Sequence, residues 1–155
     1  GVWIGESTVD TEPSDNSYEY LLAYNGIEDL TVKFIVADDP NYDTTNVWAS
    51  YDYGDFTFAV EHVDTDYVPG AGNDLEVTMG MIYYAMGDAG ITFRYVDGEI
   101  ADAFGVFQDY EKFTISPSYA FSDNVFGLVE FSTEELGAGP NNDSDTAAVE
   151  LIYSF

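Results

Sequence analysis

The sequence has no cysteine and only three basic residues, Lys33, Arg94 and Lys112, against thirty acids. Without thiols there is no disulfide framework, no thiolate ligand and no thiol nucleophile. A formal net charge of −27 repels phosphate backbones, which excludes nucleic acid as a partner. Such a charge suits a saline or divalent-rich setting, where counter-ions screen the self-repulsion. No apolar run reaches eighteen residues, so no transmembrane helix is expected. No basic segment followed by an apolar one marks a leader peptide, and Gly1 opens directly into VWIGESTV, which reads as the inside of a strand. A sustained helical period is missing too.

What is present is aromatic. Thirteen Tyr and eleven Phe help bring the aromatic content to 17%, which argues against a disordered acidic chain. The 155 residues suit a single domain, residues 1–155, with one core or one small barrel. Apolar and polar residues alternate with period two almost throughout, the signature of strands with two unlike faces. Ten strands are expected, at about 1–9, 17–24, 29–37, 45–53, 55–63, 74–86, 89–97, 110–121, 124–133 and 144–155. Their lengths approach the roughly 9–11 residues that a tilted strand needs to cross a bilayer. The connections alternate in length. Tight turns are expected at Asn25-Gly26-Ile27-Glu28, Gly54, Gly87-Asp88 and Ser122-Asp123, where Gly, Asn or Asp tolerates turn geometry. Long, acidic connections are expected at 10–16, 38–44, 64–73, 98–109 and 134–143, such as DTDYVPGAGND and EELGAGPNND.

The phase of the alternation separates two faces. The more apolar parity carries Leu22, Phe34, Val47, Phe58, Met79, Met81, Phe93, Ile115 and Phe131, with no charged residue from the second strand to the ninth. The other parity carries all three cations, Lys33, Arg94 and Lys112, together with Glu19, Asp52, Glu61, Glu76, Glu130 and Glu150. A charge facing lipid costs about 2–4 kcal/mol at mid-depth, which gives the exclusion a physical cause. Outward aromatics gather near strand ends, at Tyr18, Tyr24, Tyr53, Phe56, Tyr95, Phe121, Phe131, Tyr153 and Phe155. Amphipathic rings at both ends of a strand fit two interfacial girdles. The first strand has no clear phase.

The last strand, SDTAAVELIYSF, alternates Ala147, Val149, Leu151, Tyr153 and Phe155 and stops on Phe. It resembles the assembly signal of bacterial outer-membrane β-barrels. With the GVW opening, the YEYLLAYNG strand and the hairpin layout, the whole chain resembles the small porins of Gram-negative outer membranes. The resemblance implies a transmembrane, up-and-down antiparallel β-barrel with periplasmic termini, needing no cofactor and having no enzymatic activity. It implies outer-membrane lipid and lipopolysaccharide as surroundings, and assembly machinery as a partner of the last strand. In that family a further hairpin precedes the segment similar to GVW. Either the barrel has ten strands, or an upstream hairpin completes twelve, which would set a wider pore.

Candidate chemistry is sparse. His62 is flanked by Glu61, but neighbours in a strand point to opposite faces, so a catalytic pair is not expected. DTDY, ADDPNYD and NNDSD offer oxygen ligands that could hold Ca²⁺ weakly, without the spacing of an EF-hand loop; no defined metal site is expected. Function is expected on the charged inner face: Lys33, Arg94 and Lys112 facing Glu19, Asp52, Glu61, Glu76, Glu130 and Glu150 would bias ion passage. The expected activity is passive diffusion of small solutes with a preference for cations. The alternative is a non-conducting structural or recognition barrel that acts through its acidic outer loops.

Overall fold

A computed structural model describes residues 1–6, 16–67, 72–102, 105–137 and 143–154. They form one antiparallel sheet of ten strands in sequence order. The strands are β1 (Val2–Glu6), β2 (Asn16–Ile27), β3 (Leu30–Asp39), β4 (Tyr42–Tyr53), β5 (Phe56–Tyr67), β6 (Asp74–Met86), β7 (Ala89–Asp102), β8 (Gly105–Ser122), β9 (Val125–Leu136) and β10 (Ser144–Tyr153). Each strand hydrogen-bonds to its neighbours in sequence, so the topology is up-and-down, as the alternation implies. Among the described residues β1 pairs only with β2 and β10 only with β9, so the sheet is not closed.

The tight turns cluster at one end of the strands. Gly54 and Gly87 take positive φ, at 59° and 66°, a conformation that costs glycine nothing. At the β8–β9 turn the Asn124 amide donates to Ser122 Oγ at 3.3 Å, and its side chain donates to the Ser154 carbonyl at 2.8 Å. The β2–β3 turn differs from expectation. Asn25 and Gly26 lie inside β2, where the register shifts between Tyr24 and Ile27, and the reversal is made at Glu28–Asp29 with Asp29 at φ 62°. Gly26 serves close approach instead: a Cβ there would come within 2.5 Å of Tyr24 Oη.

At the opposite end the described parts of the expected long connections are mostly strand, while 10–15, 68–71, 103–104 and 138–142 lie outside the described residues. Residues 38–44 contain a turn only at Pro40–Asn41, and β7 and β8 run through most of 98–109. The reason is local. Asp39 Oδ1 accepts from the Asn41 amide at 3.1 Å and Oδ2 accepts from Ser17 Oγ at 2.5 Å, which closes the reversal in two residues. Acidic composition on both faces does not end the ladder, because the backbone pairing of Asp38 with Asp43 and of Asp97 with Glu111 continues through it.

Residues paired directly across an antiparallel ladder share a face. Leu22, Phe34 and Val47 form one such row, and Val60, Gly80, Tyr95 and Phe113 another. The second row corrects the phase of β6. Gly80, Ile82 and Tyr84 pair with Val60, Phe58 and Phe56, so they belong to the outward face. Leu75, Val77, Met79, Met81 and Tyr83, expected outward, share the face of Arg94. Choosing the more apolar parity fails here because the outward position at Gly80 is vacant while the inner set is long and apolar. Register also places Val2 with Tyr20, which gives β1 the phase its sequence lacks.

The two faces differ in burial. Among the described residues Ala59, Ser17, Thr65, Thr114 and Ser132 have buried side chains, and all five sit on the inner face. In a sheet one layer thick, a small side chain is buried only when its neighbours lean over it. The inner face is therefore the concave one.

Candidate permeation surface on the inner face

Each expected cation is placed by register on the concave side and held there. Lys33 of β3 lies opposite Trp48 of β4, with Nζ 4.9 Å from the ring centroid. Arg94 of β7 reaches across β8 to Glu130 of β9 at 3.5 Å, above Thr114. Lys112 of β8 meets its ladder partner Glu134 at 3.6 Å. These pairs are partly exposed, so they orient the groups more than they stabilise the fold.

Four expected acids fall beside them. Glu61 Oε1 accepts from Asn46 Nδ2 at 2.7 Å, and Asp52 accepts from Thr57 Oγ1 at 2.5 Å. Glu130 is the partner of Arg94, and Glu150 lies exposed opposite Leu128. Glu19 also has the inner register, opposite Ala37. Hydroxyls fill the spaces between charges, as in the Ser132–Thr146 and Thr44–Thr65 contacts at 2.6 and 2.9 Å.

Glu76 does not belong to this set. It pairs with Asp64 and Glu99 on the outward face and stands 4.0 Å from His62 Nε2. His62 Nδ1 contacts Thr78 Oγ1 at 2.9 Å on that same face, opposite to the face that carries Ser50. Glu134, Met81 and Tyr83 are inner-face residues that the sequence reading missed. Glu134 would have been found by continuing the alternation one step past 133; Met81 and Tyr83 required the pairing of β6.

The outward face is banded. Tyr24, Tyr53, Phe56, Phe121 and Tyr153 are exposed near the tight-turn end. Tyr84 joins them, its ring stacked on Phe56 at 4.6 Å between centroids. Tyr18, Tyr95 and Phe131 mark the far margin, and Phe155 lies outside the described residues. Beyond that margin the face turns acidic, with like charges directly opposed: Asp38–Asp43–Asp66, Asp64–Glu76–Glu99–Asp109 and Asp97–Glu111–Glu135. No three His, Asp or Glu side chains among the described residues converge to hold a metal ion. DTDY and ADDPNYD are thus strand and turn, and Asn141 and Asn142 of NNDSD lie outside the described residues.

No protein-family model and no curated protein matches the chain. Solved structures do. An anion-selective porin from Comamonas acidovorans is similar at TM-score 0.69 and 13% identity over 88% of this chain and 42% of its own. A loop L8 deletion mutant of OmpT, an outer membrane protein of Vibrio cholerae, is similar at TM-score 0.69 and 15% identity, covering 99% and 59%. OpdK of Pseudomonas aeruginosa, solved with vanillate, gives TM-score 0.63 and 13% identity, covering 90% and 48%. The chain spans about half the length of these structures. Ten antiparallel strands in sequence order, with a banded apolar face and a charged concave one, share the up-and-down antiparallel fold of the part of these porins that they cover.

Proposed function

We propose that the chain, as one domain over residues 1–155, forms the wall of an outer-membrane pore for passive diffusion of small solutes, with a preference for cations. The observation that carries the reading is the outward face. Leu22, Tyr53, Phe121 and Leu151 are 69%, 68%, 64% and 69% exposed, in one continuous band across the sheet. A soluble protein does not present an apolar patch of that extent to water; a bilayer removes it. The concave face then borders water, and its charges act on whatever passes.

The preference for cations rests on charge. Two of the three inner cations are engaged by Glu130 and Glu134, the net charge is −27, and the acidic ladders stand at one mouth, where they concentrate counter-ions. The Comamonas porin is anion-selective; the charge on this chain argues the other way. Chain ends on the tight-turn side suit a periplasmic placement, acidic ladders on the other side suit lipopolysaccharide bridged by divalent cations, and β10 suits the segment offered to assembly machinery.

Planar-bilayer recording of the detergent-refolded protein under a KCl gradient tests this. Discrete conductance with a cation-favouring reversal potential is expected, reduced in Glu150→Lys and Glu130→Lys. Absence of conductance from folded protein overturns the pore and favours a barrel that acts through its outer surface. An anion-favouring potential overturns the selectivity alone.

A further inference from the structure

The inner face holds a depression of about 260 Å³ between β6 and β9. Arg94, Glu130, Thr114, Ser116, Tyr83 and Phe126 are among the residues that line it. Two polar atoms there are buried and lack a hydrogen-bond partner among the described residues: Arg94 Nε and Thr114 Oγ1. Arg94 and Thr114 are directly opposed in the ladder, so both atoms belong to one spot. Thr114 is 2% exposed, and a buried polar group left unmatched costs about 1–3 kcal/mol. Unmatched groups beside a cavity are open to a partner brought by a guest.

The chemistry of the lining selects the guest. Nε is a donor only, and a hydroxyl both donates and accepts, so the guest must bring an acceptor and tolerate a donor at the same place. The only charged residues in the lining are one cation and one anion, already 3.5 Å apart, so the depression has no net charge to offer an ion. More than half of its wall is apolar, and the rings of Tyr83 and Phe126 offer faces to C–H groups. A polyol ring combines these properties: hydroxyls around its edge and apolar C–H faces.

We propose that the depression formed by Arg94, Thr114, Ser116, Glu130, Tyr83 and Phe126 is a binding subsite for a neutral polyhydroxylated solute of monosaccharide size. As a station on a permeation path it rests on the pore reading; as a binding site it is measurable without it.

The test uses three probes on one carbon skeleton, D-glucose, gluconate and glucosamine, titrated into detergent-refolded protein with binding followed by ligand-observed NMR. Conductance is recorded in parallel. Saturable glucose binding is expected, with both charged probes at least about threefold weaker. Loss of one hydrogen bond, roughly fivefold in affinity, is expected for Ser116→Ala and for Thr114→Val, while Thr57→Val, elsewhere on the inner face, changes nothing. Should Thr114→Val fail to fold, Ser116→Ala carries the comparison. No saturable glucose binding, or glucose bound equally by Ser116→Ala, overturns the subsite. Tighter gluconate assigns an anion site to Arg94, and tighter glucosamine a cation site to Glu130; either also overturns it. Binding retained without conductance sinks the pore and leaves the subsite standing.

Discussion

Met81 and Ile82 are adjacent, similar in apolarity and opposite in consequence. Register turns Ile82 toward the side of Phe58 and Phe93 and Met81 toward Arg94. If the outward face meets lipid as proposed, Ile82→Lys places a charge against it and should cost about 2–4 kcal/mol, measured by denaturant unfolding in detergent or bilayer. Met81→Lys faces the concave side and should cost far less. The reverse order would restore the phase that apolarity alone suggests for β6. Gly80 offers a second check at this scale. A Cβ built there meets nothing within 4 Å, and the surrounding wall of Phe58, Val60, Ile82, Phe93, Tyr95 and Phe113 leaves a shallow apolar recess. Gly80→Val should raise stability by about 0.5–1 kcal/mol, because a strand glycine surrenders more chain entropy on folding and packs nothing; a loss of stability would place the position in a crowded interior.

At the scale of the strand, the outer arms of β3 to β9 place acids directly opposite acids, an arrangement that weakens cross-strand pairing by about 0.2–1 kcal/mol per pair. The Debye length falls from about 30 Å at 0.01 M to about 3 Å at 1 M ionic strength, and opposed side chains sit nearer than the first figure. Amide exchange in 38–43, 64–67, 97–102 and 109–111 should therefore slow as NaCl rises across that range, while Val32–Val36 stays constant. Replacing Glu76 and Glu99 together by Gln should remove part of the dependence in β6 and β7. Salt-independent exchange in these arms would show that their repulsion is already relieved by other means. These arms also show why strand ends were harder to read than strand centres. Acidic, proline- and glycine-bearing stretches have the composition of loops, and only the pairing of Asp38 with Asp43 and of Asp97 with Glu111 reveals that the ladder continues through them.

For the molecule as a whole, tilt and stagger decide which residues share a depth. One row of directly opposed residues runs from Tyr24, close to the hairpin at Glu28–Asp29, through Val60 and Tyr95 to Thr133 near the far end of β9. In the proposed membrane setting a bilayer plane crosses such rows obliquely, so aromatic residues at unlike positions along their strands would share a depth. Phe56→Ala removes the ring stacked on Tyr84 at 4.6 Å. It should destabilise the folded barrel by about 0.5–1.5 kcal/mol beyond the lost area, read as a lower urea midpoint in detergent. An unchanged midpoint would mean that the stacked pair contributes nothing at that margin.

The period of two and the shared face of the cations were set by sequence alone, because side chains in a strand must alternate and the three cations have one parity. Ten strands, their order and the concave placement of Lys33, Arg94 and Lys112 follow from those facts. The side taken by β6, the bulge at Asn25–Gly26 and the pairing of Arg94 with Glu130 over Thr114 were decided only by tertiary structure. Each depends on which residues of a neighbouring strand lie opposite, and register is a property of two strands together, which neither strand carries by itself.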